Sequence, residues 1–215
     1  MSSSGDQTFM STSFASDQLP DGLKWYTEPK TWRTKARNNK GLLAITEPKT
    51  DFWQKTYYEP LLVADNGHFL YLDVSQEKVV METEFEIKSS DQFDQCGLMV
   101  RTDTLHWIKC GIEYVDGHPG LGCVVTNDFS DWSKQDWQGN RLCLRLYRQG
   151  NSYVVESKLP SDSNWNFIRI AHLDHAATAT VQMGLYFCSP KSGGAEMYFP
   201  HFSMRPTKGH SHGAD

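Results

Sequence analysis

Apolar and polar residues alternate with a period of two along much of the chain, most cleanly between residues 94 and 114. In residues 95–101, Cys96, Leu98 and Val100 fall on one face, and Gln95, Gly97, Met99 and Arg101 on the other. In residues 107–114, Ile108, Cys110, Ile112 and Tyr114 oppose Trp107, Lys109, Gly111 and Glu113. Successive side chains of a strand point to opposite faces, so each stretch predicts a half-buried strand. Joining the two with their core faces on the same side requires a loop of odd length, because a one-residue slip inverts every side chain. The loop 102–106 meets that condition and predicts a hairpin pairing Arg101 with Trp107, Met99 with Lys109, Gly97 with Gly111 and Gln95 with Glu113. The non-core face of this hairpin then gathers charged, amide and aromatic groups around two facing glycines, a bare patch on which a ring would lie flat. Facing glycines in strands also mark bulges or room for a neighbouring side chain.

The same reading extends along the chain. Residues 79–88 predict a strand with Met81, Thr83, Phe85 and Ile87 inward and Glu82, Glu84 and Glu86 outward. Further strands are expected after Phe9, at 42–45, at 121–126, at 141–147 with Leu142, Leu144 and Leu146 inward, and at 152–158, 165–172, 180–187 and 195–204. Pro20-Asp21-Gly22 and Asp116-Gly117-His118-Pro119-Gly120 are turn signals. Residues 51–73 are dense in aromatics, and 128–133 read as a loop mixing acidic and aromatic side chains. No stretch shows a helical period, and roughly a dozen short strands with turns between them mean an all-β sandwich or barrel. With no internal linker, residues 9–205 are expected to form one domain, 1–8 a disordered Ser-rich start, and 206–215 a flexible tail. His210 and His212 in that tail lack further ligands, so neither a metal nor a cofactor is expected.

Composition narrows the function classes. The 215 residues are 39% hydrophobic and 13% aromatic, enough for a packed core. The net charge of −5 argues against nucleic acid, which needs clustered Lys and Arg. No apolar run approaches a membrane span, and the first sixteen residues have no basic-then-apolar leader pattern. Five cysteines without framework spacing read as buried thiols in a reducing compartment, which points to the cytoplasm.

Gly-rich phosphate loops, Cys-x-x-Cys, His-Glu-x-x-His and Gly-x-Ser-x-Gly are all missing from the sequence. The enzymatic alternative is a glycan-active hydrolase or lyase using paired carboxylates. Glu82, Glu84 and Glu86 alternate along one strand face about 7 Å apart, a spacing glycosidases use. Alternating glutamates are equally an ordinary solvated face. Glu113 is the other candidate. Lys109 lies about 13 Å from it along the strand, so an acidic partner for Glu113 must come from a neighbouring strand or from Asp131. His68, standing alone, reads as a structural histidine.

Four motifs in combination carry a resemblance: Asp51-Phe52-Trp53, the run Asp94 to Arg101, Trp107-Ile108-Lys109 with Gly111-Ile112-Glu113, and Ser130-Asp131-Trp132-Ser133. From about Phe9 to Arg205 the chain resembles the regulation-of-enolase family of the concanavalin A-like lectin/glucanase superfamily. The resemblance implies a jelly-roll sandwich of two antiparallel sheets, one concave, and a cytosolic protein linked to control of the glycolytic enzyme enolase. It implies no catalytic mechanism. On the concave sheet, Gln95, Arg101, Trp107, Lys109 and Glu113 are expected to line a groove, joined by Trp53, Asp131, Trp132, Arg145 and Arg169. Aromatic faces with planar polar groups suit a carbohydrate or small polar ligand. The expected function is a binding module rather than an enzyme, since the hairpin faces Glu113 with an amide instead of a second carboxylate. The alternative to it, besides the hydrolase, is an interaction module that meets a partner enzyme through the concave face.

Overall fold

Residues 9–89 and 91–211 are described in the computed structural model of the protein. The start of the chain before Phe9 and the last residues, His212 included, lie outside them, as do the expectations placed there. Among the described residues there is no helix, and so none long and apolar enough to cross a membrane. The strands in chain order are β1 (Met10–Thr12), β2 (Lys24–Trp25), β3 (Thr31–Arg33), β4 (Leu42–Ile45), β5 (Phe52–Gln54), β6 (Val63–Asp65), β7 (His68–Val74) and β8 (Lys78–Lys88). They continue with β9 (Gln95–Arg101), β10 (His106–Val115), β11 (His118–Asn127), β12 (Phe129–Asp136), β13 (Arg141–Gln149), β14 (Ser152–Lys158), β15 (Asn166–His172), β16 (Val181–Cys188) and β17 (Glu196–Pro206).

Two large antiparallel sheets pack face to face. The first runs β15-β14-β13-β8-β17-β4-β3, with β1 also paired to β17, and the second runs β12-β11-β10-β9-β16-β7-β2. This is the all-β, concanavalin A-like jelly-roll sandwich that the strand pattern and the motifs led us to expect. The inward positions anticipated on β8, β9, β10 and β13 fill the space between the sheets: Met81, Phe85, Leu98, Val100, Ile108, Ile112, Leu144 and Leu146 are fully buried in one cluster. Such alternation gives each strand one apolar face to bury and leaves the other to solvent or to a covering layer.

The β9–β10 register is the anticipated one. Arg101 pairs with Trp107, Met99 with Lys109, Gly97 with Gly111 and Gln95 with Glu113. What covers this face was not legible. A short ribbon of β5 and β6 lies over it, burying Trp107, Met99, Phe69 and Tyr186 beneath Phe52 and Trp53 in a second apolar cluster. Trp107, expected to be open to a ligand, therefore lies on the anticipated face but is sealed under the ribbon, with no exposed surface. The glycine patch is also filled. Tyr186 of β16 stands directly opposite Gly97 and is 3% exposed. A Cβ on Gly97 would fall 2.0 Å from the Cys110 carbonyl oxygen, and one on Gly111 would fall 1.8 Å from that of Cys96. These glycines permit close backbone approach rather than offering a floor for a ligand ring.

Residues 128–133 are not a loop. After a one-residue turn at Asp128, whose φ of 62° is left-handed, the chain returns as the edge strand β12. Only Ser130 of β12 is buried, so the strand had no apolar alternation to betray it. Residues beyond β17, read as a flexible tail, dock at least through His210, whose Nε2 lies 3.0 Å from Glu156 Oε1 and whose ring packs against Tyr147. His68 is structural as expected, bonded through Nδ1 to the Thr27 carbonyl and accepting the Glu47 N–H at Nε2. Burial holds its pKa below the ordinary histidine value, partly offset by the Thr27 hydrogen bond.

Candidate functional site

The ribbon stops short of the end of the hairpin and leaves a cleft of about 740 Å³. Gln95, Lys109 and Glu113 from the β9–β10 hairpin line it, with Asp51, Trp53 and Tyr58 from the ribbon side and Val124 and Trp132 from β11 and β12. Phe93, Pro190 and Lys191 close the remaining side. An adjoining concavity of about 920 Å³ shares Trp53, Tyr58, Phe93 and Trp132 and adds Tyr57, Phe129 and Asp131. The site is thus polar at its floor and aromatic along its walls.

The floor is a hydrogen-bonded cluster. Lys109 Nζ donates to the Phe52 carbonyl at 2.7 Å and to Asp51 Oδ1 at 3.0 Å. The Gln95 amide nitrogen lies 3.5 Å from both Asp51 Oδ1 and Glu113 Oε1 and donates to the Phe93 carbonyl at 3.1 Å. The Gln95 side-chain oxygen is buried and has no hydrogen-bond partner among the described residues. Burial pushes the Glu113 carboxyl up to about 7, with Lys109 and Lys134 opposing and Asp51 adding to the shift. For Lys109, burial pulls the pKa down, but Asp51, Cys188 and Glu113 outweigh it and hold the ammonium above its ordinary value. Burial, then the nearby Asp51, raises Tyr58.

Glu113 therefore binds a proton in the folded protein that it would release on unfolding at neutral pH. Its folded pKa lies above the unfolded one, so its contribution to stability falls as pH rises from about 4.5 to 7 and is flat beyond. Glu113→Gln removes that dependence. The variant is expected to melt above the parent at pH 8 and level with it at pH 5. Equal loss of stability at both pH values would refute the assignment.

The ten residues expected from sequence are split by the fold. Trp53, Gln95, Lys109, Glu113 and Trp132 meet in the cleft, and Asp131 borders the adjoining concavity. Arg101 and Trp107 lie under the ribbon. Arg101 is 6% exposed, pairs with Asp65 at 3.0 Å, and sits 4.4 Å from the Tyr26 ring, clamping β6 to the sheet. Arg145 belongs to the opposite face of the molecule, on the outer side of the first sheet, paired with Glu156 and stacked 4.5 Å from the Trp165 ring. Arg169 on β15 reaches across the rim of the sandwich to Asp131 at 3.4 Å and Ser133 Oγ at 3.2 Å. Glu82, Glu84 and Glu86 also lie on the outer side of the first sheet, paired with Arg205, Arg141 and Arg37, far in topology from the cleft. The carboxylate partner of the Glu113 floor is Asp51, a site candidate in sequence as part of Asp51-Phe52-Trp53 but not matched there to Glu113. Tyr58 and Phe93 were missed. No sequence pattern singles them out, and in the structure the backbone turns sharply there, with left-handed φ at Tyr57 and Phe93.

A family described as a protein of unknown function, DUF1349, matches residues 25–207. Regulation of enolase protein 1 of Saccharomyces cerevisiae is 33% identical over 184 residues, covering 84% of this chain and 87% of that protein. A crystal structure of a functionally unknown protein from Saccharomyces cerevisiae superposes with a TM-score of 0.78 at 28% identity, over 86% of this chain and 97% of that one. The GH43 protein BlXynB from Bacillus licheniformis superposes with a TM-score of 0.71 at 15% identity, over 92% of this chain and 39% of that one, a likeness of fold alone.

Proposed function

The chain belongs to the DUF1349 family, and from that premise we propose that it is a regulatory binding module whose cleft takes a carbohydrate or other small polar ligand. The observation that carries the reading is the cleft itself, a polar floor of Gln95, Asp51, Lys109 and Glu113 walled by Trp53, Tyr58 and Trp132. Aromatic faces stack on the C–H patches of sugars while amides and carboxyls bind their hydroxyls. The relative named Regulation of enolase protein 1 supports the regulatory part of this reading.

A second reading, contact with a partner enzyme such as enolase, is favoured by an apolar collar around the cleft. Tyr57 is 89% exposed, Leu61 62%, Val63 55% and Phe129 60%. Large exposed apolar groups gathered in one place mark contact surfaces. The two readings separate by variant. Binding of purified enolase, followed by sedimentation, is expected to be lost in Leu61→Asp with Tyr57→Asp and kept in Glu113→Gln.

The cleft binds without hydrolysing. Asp51 Oδ1 is committed to Lys109, to the Phe52 N–H at 2.8 Å and to Gln95, so it is poorly placed to attack or to activate water. Purified protein is expected to show a thermal shift with members of a neutral-sugar panel and no release of nitrophenol from aryl-glycosides. Turnover abolished by Glu113→Gln or Asp51→Asn in a folded protein would establish a hydrolase instead.

A further inference from the structure

Glycines 97, 111 and 122 stand in one row across β9, β10 and β11 on the cleft side of the second sheet. The first two are demanded by the backbone, as shown above. Gly122 is different. The backbone atom nearest to a Cβ placed there is the Ser133 oxygen at 3.8 Å, whereas Trp132 Nε1 would lie at 3.2 Å and Glu113 Oε2 at 3.3 Å. An indole N–H and a carboxyl oxygen thus flank the space that a methyl group at this position would fill. No left-handed φ is needed at Gly122, so what glycine preserves here is room.

The neighbouring polar groups are fixed in orientation. The Gln95 amide nitrogen donates to the Phe93 carbonyl and is aimed at Asp51 and Glu113, and reversing the amide would set its oxygen against the Phe93 carbonyl and the Asp51 carboxylate. Its oxygen is enclosed, so the side chain acts through its nitrogen, which orients the Glu113 carboxyl. Glu113 Oε1 faces the Gln95 nitrogen, which leaves Oε2 on the Gly122 side. We propose that Glu113 and Trp132, with Gln95 orienting the carboxyl, form a subsite over Gly122 that reads neighbouring hydroxyls of a neutral sugar or polyol, an assignment that rests on the ligand cleft proposed above. A hydroxyl both donates and accepts, so it matches an indole N–H and a carboxyl group together. An anionic ligand would meet Asp51 and Glu113, while Lys109, the nearest cation, is already held by Asp51 and the Phe52 carbonyl.

The subsite works with Glu113 in its neutral form, donating its proton. The groups facing that carboxyl are Lys109 on its own strand, Asp51 and Tyr58 from the ribbon side, Lys134 from β12, and Tyr186 and Cys188 from β16. Burial keeps it protonated up to about pH 7, so binding weakens above that value. Glutamine at this position mimics the neutral acid and frees binding from pH.

The test is a titration of the full chain followed by the indole N–H resonances of its tryptophans. D-glucose, D-xylose and mannitol serve as neutral probes, and D-glucuronate and glucose 6-phosphate as anionic ones. A neutral probe is expected to move the Trp132 indole resonance, with affinity about tenfold lower at pH 8 than at pH 6. Gly122→Ala is expected to weaken it at least about tenfold with an unchanged melting temperature. Trp132→Phe, which keeps an aromatic ring and removes the indole N–H, is expected to weaken it also, as read from the Trp53 indole resonance, and covers the case in which Gly122→Ala fails to fold. Glu113→Gln is expected to bind at pH 8 as the parent does at pH 6. Tighter binding of the anionic probes overturns the subsite. So does a probe that moves the Trp53 resonance while both Gly122→Ala and Trp132→Phe bind as the parent does, although the cleft reading then stands. If no neutral probe moves any indole resonance, both fall.

Discussion

Replacing Arg148 with methionine is expected to destabilise the protein by at least about 3 kcal/mol, read as a lower urea midpoint with an unchanged slope. Arg148 continues the inward row Leu142, Leu144, Leu146 of β13, yet it carries a charge into that row and has no exposed surface. Its guanidinium donates to the carbonyls of Val74 at 2.9 Å, Gly150 at 3.0 Å, Ala177 at 3.1 Å and Ala179. Those oxygens belong to the end of β7 in the second sheet, the β13–β14 turn and the segment leading into β16. One side chain thus fastens the two sheets and a connection together at the end of the sandwich. Burial pulls its pKa below the ordinary arginine value, but it stays charged at any pH the protein tolerates. Methionine has similar reach and no donors, so it leaves four carbonyl acceptors short, that of Val74 fully buried and the others partly so. Arg148→Lys is expected to recover only part of the loss, because one ammonium cannot span the fork of directions a guanidinium covers. Full recovery by lysine would mean that charge, rather than the fan of hydrogen bonds, is what the position supplies.

Trp107→Ala is expected to cost about 3–5 kcal/mol, the range for emptying a buried aromatic site. The indole is wholly enclosed, with its ring centroid 6.2 Å from that of Phe52 and its N–H donating to the Thr104 carbonyl at 3.3 Å. It is the seat on which the ribbon rests. Removing it should also loosen the cleft wall that the ribbon forms, so ligand binding and stability fall together. A solvent-facing stacking residue would behave otherwise, losing binding while the midpoint stayed put. Thermal and chemical denaturation of the variant therefore decide between the two roles of this one side chain.

The difference shows what the sequence carried. Parity alone set the β9–β10 register, because a buried face punishes a one-residue slip along its whole length. Parity also assigns a side chain to a face, and it placed Gln95, Lys109 and Glu113 together correctly. It is silent on what lies over that face. The covering ribbon is two strands of three residues each, one buried throughout and one with no buried residue, so neither shows alternation. Arg101 and Trp107 were hidden by that layer. Arg145 and Arg169 were misplaced because they sit on the first sheet, and a side chain's parity within its strand says nothing about which sheet the strand joins. Asp51 reached the floor through a contact 58 residues apart in the chain, with Lys109. No local pattern encodes such a distance. Arg148 could have been noticed from its inward parity, since a charged residue at a core position must find partners.

The five cysteines are free, and only Cys143 keeps more than a trace of exposed surface. Cys96, Cys110, Cys123 and Cys188 sit in the second sheet with their thiols shielded, and burial lifts Cys96 and Cys188 well above the usual thiol range. Thiolates are the reactive form, so these positions are doubly inert while the sandwich is closed. The molecule consequently carries its own unfolding clock. A thiol reagent should react promptly with one sulfur, and the remaining four should follow only at the rate at which the second sheet opens. Labelling kinetics at one temperature thus report kinetic stability directly, through thiols native to the sequence.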